Sequence, residues 1–383
     1  MEQNKKAQVR EYPFYIKATT ILLGLVLLVY ILKALAGVLI PFGFATLAAI
    51  LLNPLYSGLE RRLPKVGALL ITLLLAIAAL GGFFYFLSTQ IGMFLDSLPL
   101  LMRKLSTLLV EFQVWSKQHL GIAMDRQVAS LKNTLHNGPD FLAGSMGTIL
   151  GVVSAFVLMP IYIFLLLYYK PLILDFLFQL FQERHSLRVA EVLSQTKSAV
   201  QSYMIGLLLE TAVVCVLNSL ALFLIGVPYA IVIGVIGGIL NLLPYIGGLI
   251  AIVLPVLTVT AIADGFSTQL VIIGAYSFIQ FIDNNILVPR IVSKKVQINA
   301  LVSIIAVLLG GALWGVAGMF LSIPIIGVLK IIFDRVAELK PWGRLLGDEV
   351  PSEHVGVVWQ KRWNRIFRRM QQKKEMETTT DTV

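Results

Sequence analysis

The sequence predicts an all-α polytopic membrane protein: about six full transmembrane helices, two broken or re-entrant helical hairpins, an amphipathic helical insert and a basic cytoplasmic tail. Three observations lead there. Of 383 residues, 57% are hydrophobic and 14% charged, with a mean hydropathy of +0.85, whereas soluble domains are about one quarter charged. About eight hydrophobic segments follow one another along the chain, and a bilayer core takes about 20 residues of helix. Two of these segments, Val227 to Ala263 and Ala300 to Phe333, run to about 35 residues and are cut by glycine and proline. They are too long for one crossing each and must bend or double back.

Residues 1–91 hold the first three spans. Phe14 to Leu32 is apolar and lacks a small-residue cleavage site after it, so it reads as a retained helix rather than a leader. Lys5, Lys6, Arg10 and Lys17 flank it and place the amino terminus in the cytoplasm. The second span runs from Ala34 to Tyr56, with Pro41 as an expected kink. Glu60, Arg61, Arg62 and Lys65 form a basic return loop, and the third span covers Val66 to Leu87.

Residues 92–145 are expected as an amphipathic insert on the outer face. Leu98, Leu101, Met102, Leu105, Leu108, Leu109, Phe112 and Trp115 recur there at helical spacing. The insert either lies on the membrane surface or packs on a neighbouring subunit.

Residues 146–225 hold the fourth and fifth spans. Met146 to Tyr169 opens with Gly147 and Gly151 at the interval that lets helices approach closely. Lys170, Arg184, Arg188 and Lys197 mark a cytoplasmic loop with its own amphipathic helix, followed by a span from Met204 to Ile225 that carries Glu210 and Asn218.

Residues 226–334 form the expected core, with hairpin turns placed at Asn241 to Gly248 and at Gly310 and Gly311. Two single crossings would put Arg290, Lys294 and Lys295 outside, against the positive-inside bias. Two hairpins, one entering from each side, return that loop to the cytoplasm.

Residues 335–383 are a basic cytoplasmic tail. In it Trp359, Trp363, Ile366, Phe367 and Met370 oppose Lys361, Arg362, Arg365, Arg368, Arg369, Lys373 and Lys374. Such a helix rests on anionic headgroups or stays solvated.

The candidate binding residues are Gln280, Asp283, Asn284, Asn285 and Pro289, together with Asn241, Pro244, Tyr245 and Gly247 in the first hairpin. An ionisable group at membrane depth costs about 2.5–3.5 kcal/mol, so Asp283 and Glu210 are also candidates for proton coupling. The cluster around Asp283 suits a small polyhydroxylated solute or a hard cation, and equally suits a helix end among headgroups. For Glu210 the alternatives are proton exchange and a structural hydrogen bond. Paired interrupted tracts are a recognised pointer to a transport site.

Enzymatic chemistry has no foothold in the motifs: HExxH, GxSxG and a Walker loop are absent, and all four histidines lie outside the spans. The single Cys215 excludes an intramolecular disulfide and a cysteine-built metal site. Neither cofactor nor metal is expected. The formal charge of +10 sits beside apolar spans, which positive-inside topology explains without nucleic acid. The expected partners are the lipid bilayer, a small polar solute and sodium or protons.

Three motifs, IGVPYAIVIGVIGGILNLLPYIGG (Ile225 to Gly248), DNNILVPRIV (Asp283 to Val292) and LLGGALWGVAGMFLSIPI (Leu308 to Ile325), resemble the autoinducer-2 exporter family of bacterial membrane proteins in order and spacing. The resemblance departs at Gly248 and Asn299, near which the family commonly has proline. It implies a secondary transporter of the bacterial inner membrane that exports a small polar molecule like autoinducer-2. Sodium/proton antiport is the alternative that the resemblance also carries. It further implies a homo-oligomer, a pentamer being the number suggested, with transport by each protomer. From another class, a passive pore or a membrane scaffold stays open.

Overall fold

The computed structural model describes residues 13–120, 158–181, 186–243, 247–260, 266–292 and 298–348, with positions 360, 363–365 and 367. Among them the chain is helical with no strand. In order, the helices are α1 (Phe14–Ala34), α2 (Ala36–Glu60), α3 (Lys65–Leu120), α4 (Leu158–Tyr168), α5 (Lys170–Leu180), α6 (Ser186–Ile225), α7 (Ala230–Leu240), α8 (Gly247–Thr260) and α9 (Ser267–Ile282). A π-helical segment, Asp283–Val292, continues α9, and α10 (Ala300–Arg335) and α11 (Lys340–Leu346) follow. Six segments are long and apolar enough to cross a membrane: α1, α2, Lys65–Phe86 of α3, α6, α9 with its π-helical extension, and α10; the bent pair α4 and α5 would make a seventh. The protein is a polytopic all-α membrane protein.

Several expected boundaries move. Pro41 lies inside a continuous α2, as does Pro54. The third span lies at Lys65–Phe86, where the sequence placed it, but its helix does not stop there: α3 runs unbroken to Leu120, roughly 84 Å of helix. Losing apolar character changes what a helix faces, not whether its backbone bonds continue. The start of the expected insert is therefore a continuation of the helix that carries the third span. Residues 121–145 of the insert lie outside the described residues. So do Gly147, Gly151 and the first part of the fourth span, and α4 bends by 61° into α5 at Tyr169, whose ψ of 7° leaves the helical range, while Pro171 sits in the first turn of α5, where its missing N–H costs nothing. The cytoplasmic helix and fifth span, expected as two elements, are the single helix α6.

α6 ends at Gly226, whose φ of +83° is the left-handed geometry of a helix stop, and α7 returns along it. Close approach decides this pair. A side chain on Gly234 would fall on the backbone of Ser219, and one on Gly238 would lie 2.8 Å from the backbone nitrogen of Cys215. The four-residue interval of the glycines matches that of Cys215 and Ser219, which lets two backbones touch. With α8 and α9 the pair encloses a core of Leu222, Val232, Ile233, Ala251, Ile272 and Tyr276. A second core joins α2, α3 and α4, and a third joins α2, α6 and α10.

Each long apolar tract is divided. The first becomes α7 and α8, of 11 and 14 residues, each too short to span. The second is α10, broken at Trp314 and at Gly315, where φ is +61°. In a straight helix residues 310 and 318 stand about 12 Å apart; here a Gly310 side chain would lie 2.8 Å from the Gly318 carbonyl carbon, and Gly318 lies against Trp314. The two arms therefore double back. The turn falls four residues beyond Gly310 and Gly311, which serve as contact points between the arms because they lack side chains.

The ends of the second tract are tied together. Asn299 caps α10 by accepting from the Val302 N–H (2.8 Å), while its side-chain amide donates to the carbonyls of Leu345 (2.7 Å) and Gly347 (3.0 Å). Its own N–H donates to Leu346 (3.0 Å). At the broken end, the Trp314 indole N–H donates to the Leu32 carbonyl of α1 (3.0 Å). That bond anchors α1, none of whose residues is buried.

Substituting leucine for Gly234 or Gly238 will force α7 off α6 and cost about 1–3 kcal/mol or more, as overpacking does. Leucine at Gly24, which has open space around it, will leave the unfolding temperature in detergent within error of the parent, and intrinsic fluorescence melts will separate the two cases.

Candidate functional site

Three elements meet at one side chain. α6 carries Glu210, the turn after α7 carries Asn241, and Asp283 stands where α9 changes to the wider π-helical winding. The Asn241 amide nitrogen donates to Glu210 Oε1 (2.8 Å) and to Asp283 Oδ2 (2.9 Å). A primary amide has two N–H groups, and here each goes to a different carboxylate. Glu210 and Asp283 are 3% and 2% exposed, so neither lies at a solvated helix end. Two carboxylates sharing one donor in a buried site repel unless a proton or cation accompanies them.

The bridge lines a cavity of about 860 Å³, within the range that accepts small molecules. Gln280, Asn284, Asn285, Ser277, Ser303 and Tyr203 add polar groups to its wall, and among the described residues no lysine, arginine or histidine lines it. The Gln280 amide donates at 3.4 Å to both Asp283 Oδ2 and Asn284 Oδ1. Its carbonyl end crosses α8 at Gly248, where a side chain would lie 2.7 Å from the Gln280 amide carbon. Asn285 turns its amide to its own helix, donating to the Phe281 carbonyl (2.8 Å).

Of the residues singled out from sequence, Glu210, Asn241, Gly248, Gln280, Asp283, Asn284 and Asn285 share this cavity. Gly248 belongs to the first turn of α8 rather than to the hairpin turn itself. Gly247 sits beside it, where a side chain would lie 2.7 Å from Asn241 Cα; its bareness lets α8 start against the end of α7. Pro289 is exposed and away from the cavity, and it does not stop the helix, which continues in π-helical form to Val292. Pro244 and Tyr245 lie outside the described residues. Gly310 and Gly311 pack the arms of α10 and do not line the site.

Sequence reasoning missed Tyr203, Ser277 and Ser303. Tyr203 precedes Glu210 by seven residues on one helix and so shares its face, a signal that was available. Ser303 belongs to a distant tract, and no local pattern points to it.

A family model described as AI-2E family transporter matches residues 20–338. Among curated relatives, the AI-2 transport protein TqsA of Escherichia coli (strain K12) is 26% identical over 336 residues, covering 86% of this chain and 95% of its own length. The putative transport protein YueF of Bacillus subtilis (strain 168) is 24% identical over 336 residues, 82% of this chain and 89% of its own. The putative transport protein YrrI of the same organism is 32% identical over 145 residues, 38% of this chain and 40% of its own.

Replacing Asn241 by leucine leaves both carboxylates without their shared donor and will destabilise the protein by about 1–3 kcal/mol, the cost of an unsatisfied buried group. Adding Glu210→Gln, which restores an N–H donor toward Asp283, will recover part of that loss. Thermal melts of the two single variants and the double variant measure the coupling; strict additivity would mean the bridge is not shared.

Proposed function

The chain belongs to the AI-2E family of transporters, and from that premise we propose that it exports a small polar molecule of the autoinducer-2 kind by alternating access through the cavity between Glu210, Asn241 and Asp283. Family membership makes it a membrane transport protein and not an enzyme. The observation that carries the finer reading is the pair of buried carboxylates on one amide, in a cavity whose lining has amides and hydroxyls and, among the described residues, no basic side chain. The amides and hydroxyls suit a neutral polyhydroxylated solute. The carboxylate pair suits a coupling proton or cation, since ionisable groups at membrane depth serve in such relays.

The doubled tracts fit this mechanism. Interrupted helices around a polar site are the usual frame of secondary transporters. Asn299 ties the start of α10 to the segment just after its end, which supports both ends of that tract lying on one membrane face. In this reading α7 with α8, and the two arms of α10, are re-entrant hairpins. Asn241 rides on the first, so movement of that hairpin parts the two carboxylates from their common donor. The same proposal takes the protein as a homo-oligomer, five protomers each with its own cavity, in the bacterial inner membrane with both termini cytoplasmic.

Sodium/proton antiport is favoured by one specific feature, the buried carboxylate pair with no basic neighbour among the described residues of the cavity lining. Proteoliposomes separate the readings. With labelled autoinducer-2 and an internal proton-sensitive dye, wild-type protein will show saturable solute movement, and Asp283→Asn and Glu210→Gln will reduce it by about tenfold or more. A dye response to sodium without solute movement would replace export by antiport. Solute flux in Asp283→Asn equal to wild type, without saturation, would indicate a passive pore and sink the proposal.

A further inference from the structure

The Asn241 amide nitrogen stands 2.8 Å from Glu210 Oε1 and 2.9 Å from Asp283 Oδ2. Those are the separations at which an ammonium nitrogen sits between carboxylates, whereas hard divalent cations hold their oxygens at about 2.0–2.6 Å. The amide gives each carboxylate a hydrogen bond and no charge. Among the described residues, neither carboxylate takes part in a salt bridge and no basic side chain lines the cavity. An ammonium brought to the position of the amide nitrogen keeps both hydrogen bonds and adds the missing charge. It has three N–H groups, one more than the amide, and the second oxygen of Asp283, Oδ1, is buried without a hydrogen-bond partner among the described residues.

The rest of the cavity suits an organic body. Its volume of about 860 Å³ far exceeds the about 30 Å³ that one water takes up in the liquid, so a proton or a bare ion uses little of it. Leu207, Leu242, Ile252, Phe281, Ile298 and Ile323 give it an apolar wall beside the amides and hydroxyls. A neutral polyol leaves the carboxylate charge unanswered, and an ion leaves the apolar wall uncovered. A primary amine with an apolar body uses both. Glu210 and Asp283 are the acidic groups of the lining among the described residues, and both meet at one point. One ammonium is therefore served there, and a second one several carbons away along the same molecule is not.

We infer that the cavity takes small primary monoamines, whose ammonium group replaces the Asn241 amide nitrogen between Glu210 and Asp283. This rests on the cavity being the solute site of the proposed transporter, and it adds a second solute class to that site. Binding of such an amine releases Asn241 from both carboxylates, as the movement of α7 and α8 proposed for transport requires.

Calorimetric titration of the full chain in nanodiscs tests this on the unaltered protein. Tyramine will bind about tenfold or more tighter than tyrosol, its neutral alcohol counterpart, and than its N-trimethylated form, which keeps the charge and has no N–H. Equal affinity for tyramine and either analogue would overturn the inference, and putrescine binding more tightly than butylamine would overturn the restriction to monoamines. Asp283→Asn and Glu210→Gln will each weaken tyramine by about tenfold or more; affinities equal to wild type in both would place the amine elsewhere and overturn the site. In wild-type proteoliposomes, tyramine at ten times its dissociation constant will slow the movement of trace labelled autoinducer-2 by about tenfold, and movement untouched by bound tyramine would overturn the shared cavity. Tyramine binding that depends on the carboxylates, with no autoinducer-2 movement in wild type, would support the amine site and remove autoinducer-2 as the solute. Saturable autoinducer-2 movement lost in Asp283→Asn, with no tyramine binding, would overturn the amine site and leave export standing.

Discussion

One side-chain amide holds the centre of this protein together. Asn241 gives one N–H to Glu210 and one to Asp283, and so ties α6, the α7–α8 turn and the end of α9 at a single point. Burying a carboxylate without partners is among the costliest things a fold can do, and two stand here side by side. The neighbouring packing follows from keeping that arrangement. α7 must lie flat on α6 to deliver Asn241 opposite Glu210, and Gly234 and Gly238 permit it. α8 must start immediately beside the turn, which the bare Gly247 allows, and Gly248 lets the Gln280 amide come across to Asp283.

The change of winding at Asp283 belongs to the same constraint. An α-helix continued past Ile282 would place Asn284 and Asn285 at other angles to the cavity, and π-helical turns are rare and concentrate where function demands an unusual presentation. Pro289 lacks an N–H, and a segment already departing from the α-helical bonding pattern tolerates it. The second divided tract follows the other logic seen here, in which glycines serve contact. Gly310 and Gly318 bring two arms together, while Gly315 alone takes the left-handed geometry of the turn.

Composition and spacing made the class of the protein legible, with the crossings through α3, the division of both long tracts and the polar cluster from Gln280 to Asn285. Asp283 and Glu210 stood out because charge is expensive inside a membrane. Their pairing was not legible: they lie 73 positions apart in the chain, and only the return of α7 along α6 brings Asn241 between them. The turn of α10 was misplaced because Gly310, Gly311, Gly315 and Gly318 are equivalent on paper, and only the sign of φ and the contacts between arms separate a turn from a crossing point. The lengths of α3 and α6 were hidden for a different reason. Hydropathy reports what surrounds a helix, so a helix passing from lipid into another medium looks like two elements.

The division of labour around Asn241 also constrains how the site can move. Glu210 and Asp283 sit on long helices, α6 of 40 residues and α9 with its π-helical extension of 26, both packed along much of their length. Asn241 sits on a turn between two short ones. A displacement of α7 and α8 therefore costs few backbone hydrogen bonds, yet it removes both donors from the carboxylate pair at once. The charge state of the pair and the position of the hairpin are then linked by the same two hydrogen bonds, and linkage of this kind is reciprocal. In the proposed transport cycle, loading the pair with a proton or a cation would bias the α7–α8 pair, and moving that pair would change how tightly the charge is held.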